Sequence, residues 1–438
     1  MSHAKFERYD AYKDSGVEWL GEVPEYWAIS RIKEKGSVKA RIGWKALKAS
    51  EYVDDGFAFL STPNIKNKDI DFKNVNYINY ERYVESPEIM LKEDDILLAK
   101  DGSTLGIVNI VNYLPKETTV NSSIGVLRFD KTIFNKYLFY QIESKYIQDK
   151  IQLKKGGMGV PHLFQQDINN FIILIPSFAE QHAIAAYLDT KTVHIDHKID
   201  LLSQKATQYC RLKQSLINET VTRGLDETVT MKDSGVDWIG EIPAHWEVQR
   251  IGTAFEERSE KVNDKDYPPL SVSMGGIVPQ MISVAKTNNN DNRKRVAVGD
   301  YVINSRSDRR GASGISIYNG SVAVISIVLT PKRSFWGKYL HHLFRSYRFV
   351  EEFYRVGRGI VDDLWTTRYS IMKAIEFAYP SYDEQKNIAD YLDDKTAKID
   401  HIVVSINTQI EKLKELRKTL INDVVTGKIK IVKEGQAA

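Results

Sequence analysis

The chain has 438 residues, 27% of them charged and 42% hydrophobic, with a formal net charge of +3. That length accommodates two or three domains, each with its own core, and the ordinary apolar share marks a globular chain. The longest apolar runs, Phe171 to Ile175 and Val322 to Leu329, fall short of the ~20 residues of a membrane helix and read as buried strands. The lone Cys210 excludes an intramolecular disulfide and a multi-cysteine zinc site, and with no apolar signal segment at the N-terminus it fits a reducing cytoplasm.

The first element is YKDSGVEWLGEVPEYW, Tyr12 to Trp27. It returns as MKDSGVDWIGEIPAHW, Met231 to Trp246, with ten of sixteen positions identical. PSFAEQHAIAAYLDTKTVHID (Pro176 to Asp196) likewise returns at Pro380 to Asp400 with thirteen of twenty-one positions matching, and LKQSLINETVT (Leu212 to Thr222) returns at Leu416 to Thr426. Matches of this density mark an internal duplication. The first repeat is displaced by 219 residues and the others by 204, so the frames carry inner segments of different length. Those segments share little sequence. Duplicated frames predict pseudo-symmetry; divergent inserts predict that the halves recognise different things.

The inner segments carry β-branched stretches punctuated by Gly, Asn and Asp, such as DILLAK, GIVNIV, YVINS and SVAVISIVL, then a helical patch and a Gly-rich loop. At Pro176 and Pro380 a helix is expected, with proline in the first turn and Ser177/Glu180 and Ser381/Glu384 as capping boxes. Apolar residues then fall at heptad spacing: Ile195, Ile199, Leu202, Ala206, Tyr209, Leu212 and Leu216, and in the second copy Leu392, Ile399, Ile402, Ile406, Ile410, Leu413 and Leu420. Each helix is expected to run for some 40 residues, ~60 Å, with the other as its partner. That length exceeds one turn of duplex, ~34 Å.

Catalytic tools are not evident. Gly337-Lys338 and Gly427-Lys428 lack a phosphate loop, and no Gly-rich cofactor loop follows a strand. HIDHKID (His194 to Asp200) lies on the heptad helix and reads as a surface face rather than a metal site. Cys210 reads as packing rather than a nucleophile. Charge, however, is segregated. Arg31 to Lys48 holds seven Lys/Arg against one Glu, Lys332 to Arg348 five against none, and Lys286 to Arg310 seven against three Asp. Basic runs interleaved with aromatic and amide residues point to nucleic acid.

The opening stretch, P-S-x-x-E-Q-x-x-I-A-x-Y-L-D opening a long helix and LIN-x-x-V-T closing it, each twice and in this order, resemble the specificity subunits of type I restriction-modification systems over essentially the whole chain. The resemblance implies an α+β fold. Two target-recognition domains (1–175 and 226–379) would be separated by two long antiparallel coiled-coil helices (176–225 and 380–438). It implies a non-catalytic DNA-binding subunit that reads a split asymmetric target and recruits two adenine methyltransferase subunits and two restriction/translocase subunits. Adenosylmethionine, ATP and magnesium would be bound by those partners and no cofactor by this chain, with no membrane partner. A silent or modification-only subunit, or a protein-binding coiled-coil adaptor, are the alternatives.

Phosphate contacts position such domains and a few side chains read base edges. The candidates in the first domain are Arg41, Trp44 and Lys45, the turn Lys100, Asp101, Gly102, Ser103 and Thr104, and the loop Lys154, Lys155, Gly156 and Gly157. In the second they are Asn304, Ser305, Arg306, Arg309, Arg310 and Arg358. Glu180, Gln181, Tyr187, Glu384, Gln385 and Tyr391 are expected to serve either the helix frame or the methyltransferase interface.

Overall fold

A computed structural model describes residues 7–41, 47–66, 68–153, 161–280, 291–358 and 365–431. The chain folds into two compact units: Met1–Leu201 with Gln409–Ala438, and Leu202–Thr408.

In the first unit the opening stretch forms a hairpin, Tyr12–Asp14 against Glu22–Pro24. The Asp14 carboxylate accepts the Gly16 amide at 2.9 Å, and Gly16 turns at φ +70°, a conformation that favours glycine. The next strand, Ala28–Arg31, pairs with Ile172–Ile175, which directly precedes the first long helix. Two frame motifs remote in sequence are thereby neighbours in space. An antiparallel four-stranded sheet follows, in the order Gly36–Lys39, Ile124–Phe129, Ile96–Ala99, Val108–Ile110. A second sheet runs Asn76–Ile78, Phe57–Leu60, Thr118–Val120, its last pair parallel. Trp27, Leu98, Leu127, Tyr137, Ile173 and Leu188 share one core.

The second unit repeats this plan. Met231–Asp233 pairs with Glu241–Pro243, with Asp233 capping Gly235 at the same 2.9 Å. Glu247–Arg250 pairs with Glu376–Tyr379 before the second long helix. The four-stranded sheet has the same order: Phe255–Glu257, Ile327–Pro331, Tyr301–Ile303, Ser313–Ile315. The units diverge in the second sheet, here Lys261–Val262, Arg293–Val296 and Gly320–Ala323, with a separate hairpin of Leu270–Ser273 and Gly276–Pro279. The class is α+β. Each helical patch is two helices, Asn135–Glu143 with Lys145–Leu153 and Gly337–Arg345 with Tyr347–Arg355. The extended backbone of Ser144 and Ser346 breaks them.

The long helices are Phe178–Arg223, 46 residues, and Tyr382–Val425, 44 residues, or about 65–70 Å each at 1.5 Å per residue. Ser177 and Ser381 cap them, their hydroxyls accepting the Glu180 and Glu384 amides at 3.3 and 3.4 Å. The prolines therefore precede the cap rather than occupying the first turn. The glutamates do not close the expected box, because their carboxylates are bound elsewhere, as described below.

The heptad stripe also departs from the expected positions. Leu212 and Leu416 are exposed, and the stripe position beside each is held by Lys213 and Arg417. Each cation reaches an aspartate on the antiparallel segment of its own unit. Lys213 lies 2.6 Å from Asp400 in the second unit; Arg417 lies 3.1 Å from Asp196 and 2.7 Å from Glu143 in the first. The two pairs are repeat equivalents, each member displaced by 204 residues. Val403 replaces the expected Ile402, which is exposed, and Cys210 is exposed rather than packed. Among the described residues no helix is long and apolar enough to cross a membrane.

The helix ends are held by the opening hairpins. Gly427, at φ +72°, follows the second helix so closely that a Cβ would stand 2.4 Å from the Pro24 ring. The Tyr12 hydroxyl donates to the Gly427 carbonyl at 2.9 Å, and Lys430 donates its amide to Glu7 at 2.9 Å.

Candidate nucleic-acid interface

In the first unit the strand Ile96–Ala99 runs into Lys100 and a short turn, Gly102–Thr104. Two other segments meet it. The Lys100 amide donates to the Ser123 carbonyl at 2.8 Å, bringing in the turn 121–123. The Lys100 carbonyl accepts from Leu163 at 2.8 Å and Gly102 donates to Pro161 at 3.0 Å, bringing in 161–164. Asp101 pairs with His162 through backbone and side chain, its carboxylate bound to Nδ1. Lys100 is largely covered, with its ammonium 3.4 Å from Asp101, whereas Ser103 is exposed and Thr104 donates to the Asp101 carbonyl.

The second unit builds the same three-part face. Strand Tyr301–Ile303 leads to Asn304 and the turn Ser307–Arg309. The Asn304 side-chain oxygen accepts the Arg306 amide at 3.0 Å. Ser305 donates its hydroxyl to the Ile325 carbonyl at 2.6 Å and accepts from Thr367 at 3.1 Å. Arg306 pairs in the backbone with Thr366 and lies 3.2 Å from Asp308. Arg309 is exposed. A concavity of about 220 Å³ collects Asn304, Arg306 and Arg309 with Gln280 and Ile325. Arg310 stands apart, 3.0 Å from Glu351 and 5.2 Å over the Tyr354 ring, whose hydroxyl burial pushes up to about 12. Arg358 is exposed and exchanges both backbone hydrogen bonds with Thr366.

Arg41 stands inside the fold. Its side chain is fully buried, 3.7 Å from Glu85, and its guanidinium is held below the usual value first by burial and then by Arg82. Trp44, Lys45, Lys154, Lys155, Gly156 and Gly157 lie outside the described residues.

The frame residues make matched contacts. Gln181 and Gln385 are buried and use both amide ends within their own units. Gln181 accepts from Phe134 at 2.8 Å and donates to Thr132 and Pro176; Gln385 accepts from Trp336 at 2.9 Å and donates to Pro380. Glu180 accepts from Tyr9 at 2.7 Å and Tyr26 at 3.1 Å. Glu384 accepts from Trp246 at 3.0 Å and pairs with His245 at 2.9 Å. Tyr187 and Tyr391 are half-buried, each with a lysine (Lys191, Lys395) 5.5 Å over its ring.

Residues 24–207 match the family described as type I restriction modification DNA specificity domain. Over 429 residues the chain is 25% identical to the type I restriction enzyme MjaVIII specificity subunit of Methanocaldococcus jannaschii, covering 93% of this chain and 94% of that one. The chain is thus similar to type I specificity subunits over nearly its whole length. The chain is also similar to the EcoKI specificity subunit of Escherichia coli K12, 23% identical over 312 residues, which span 70% of this chain and 64% of that one. Its fold matches a chain solved in work on complex assembly and conformational transition of the type I R-M system, with a TM-score of 0.69 at 15% identity, covering 93% of this chain and 99% of that one.

Sequence reasoning missed the segments 121–123 and 161–164 and their counterparts 324–326 and 365–367. No composition signal marks them. Strand pairing sets the turns that precede Ile124–Phe129 and Ile327–Pro331 beside the reading turns, and isolated backbone bridges, Asp101 with His162 and Arg306 with Thr366, bring in the other two segments.

Proposed function

We propose that this chain is the non-catalytic DNA-recognition subunit of a type I restriction-modification system and reads a bipartite, asymmetric DNA target, one half-site per unit. In the complex it would scaffold two adenine methyltransferase subunits and two restriction/translocase subunits in the cytoplasm, with adenosylmethionine, ATP and magnesium bound by those partners. One observation carries this reading. The same strand–turn–strand device recurs in both units with different chemistry at its tip, Asp101-Gly102-Ser103-Thr104 in one and Arg306-Ser307-Asp308-Arg309 in the other. A shared scaffold with exchanged tips suits a protein that must read two different short sequences. Arginine pairs bidentately with guanine and asparagine or glutamine with adenine, so the Asn304, Arg306, Arg309 and Gln280 group has the donors that base-edge reading needs. The DNA-contacting roles of the 100–104 turn, of Arg310 and of Arg358 belong to the same proposal.

Duplex binding by the purified chain tests it. Neutralising phosphates releases counterions, so a protein making six or more phosphate contacts loses about 10³-fold or more in affinity between 50 and 200 mM salt. A loss of this size, with cold target competing better than scrambled duplex, is the expected result. Salt-insensitive binding would favour a protein-binding adaptor instead.

A further inference from the structure

The turn that joins the last strand of the second sheet to the central strand of the four-stranded sheet occupies the same place in both units. In the first it is Asn121-Ser122-Ser123, between Thr118–Val120 and Ile124–Phe129. In the second it is Val324-Ile325-Ser326, between Gly320–Ala323 and Ile327–Pro331. Both are tied to the residue that opens the reading turn: the Ser123 carbonyl accepts from Lys100 and the Ile325 carbonyl from Ser305. Their chemistry is opposite. Asn121 and Ser122 are polar, and the Asn121 side-chain oxygen fixes the turn by accepting from Ser123 at 3.1 Å. Val324 and Ile325 are apolar and 42% and 41% exposed at the tip of a β-turn, where hydration disfavours them.

Ile325 also lines the concavity that holds Asn304, Arg306 and Arg309. An apolar group set among base-edge donors has one counterpart in a DNA major groove, the 5-methyl group of thymine. Resting on the proposed DNA-reading role, we infer that Ile325, supported by Val324, is a specificity-determining residue that packs on a thymine methyl in the half-site read by the second unit. The first unit, with Asn121 and Ser122 in the equivalent turn, reads its half-site by hydrogen bonds and is indifferent to that methyl.

The test uses the full chain and a duplex carrying its own split motif, taken from the methylation pattern it directs. The half-site belonging to the second unit is the one whose recognition changes in Arg309→Ala. Thymines there are replaced singly by deoxyuridine, which keeps every hydrogen-bonding edge and removes only the methyl. Burying one such group is worth about 0.8 kcal/mol, or roughly a fourfold change in Kd. At one position in that half-site deoxyuridine is expected to weaken binding about fourfold, and in Ile325→Ala the same replacement makes no difference. Deoxyuridine in the other half-site leaves Kd unchanged. A second half-site without thymine, or one equally tolerant of deoxyuridine in wild type, overturns the inference. So does a fourfold effect that persists in Ile325→Ala. Because Ile325 is exposed, the alanine variant is expected to keep the wild-type melting profile. Failure to prefer the motif duplex over scrambled DNA at all would instead overturn the proposed function.

Discussion

Trp246→Ala is expected to destabilise the second unit by about 3–5 kcal/mol, the cost of emptying a large aromatic site in a packed core. Trp246 is 1% exposed and shares its core with Ile242, Ile251, Ile388 and Leu392. Its indole N–H donates to Glu384 at 3.0 Å, so truncation also removes a partner from a carboxylate in the first turn of the helix. Gly224, just past the first long helix, sits with its virtual Cβ 3.4 Å from the same ring, so this helix end loses its support as well. Far-UV circular dichroism against urea in the full chain would read the loss as an earlier first transition. Trp246→Phe keeps most of the packing but not the donor, and is expected to cost about 1–2 kcal/mol. An unshifted transition in Trp246→Ala would mean that the opening repeat does not brace the helix.

The second large effect is on recognition. Arg309 is exposed and lines the concavity of the second unit, whereas its neighbours Arg306 and Arg310 are already paired with Asp308 and Glu351. Arg309→Ala is therefore expected to relax base preference in one half-site only, by about 10- to 100-fold, the usual worth of a good bidentate base contact. Methylation mapping of cells carrying the variant would show the split motif degenerate in one half and intact in the other. A uniform fall across both halves would identify Arg309 as a phosphate contact.

The repeats made the frame legible in the sequence, because the residues they preserve are the ones with geometric duties. Asp14 and Asp233 cap matching glycines. Gln181 and Gln385 tie the helix starts to the strand and helix beside them. The opening motif is therefore needed twice on physical grounds alone, since each long helix needs a hairpin at its entry. The charged step in the heptad stripe was not legible. Leu212 and Leu416 offer better apolar side chains than Lys213 and Arg417, and only the position of Asp400 and Asp196 on the antiparallel segment decides for the cations. The reading face was half legible. Its Arg- and Gly-bearing turns stand out in the sequence, but Arg41 shows that a basic run also contains structural cations, and Ile325 reaches the face through strand order and His162 through an isolated bridge to Asp101.

On the proposed function, one chain dictates one split DNA motif. Single-molecule methylome sequencing of cells with and without this gene, in a host that expresses the proposed methyltransferase partner, tests this. One bipartite, asymmetric adenine-methylation motif is expected to disappear on deletion and to return on complementation. An unchanged methylome, with the chain expressed and its methyltransferase present, would contradict it.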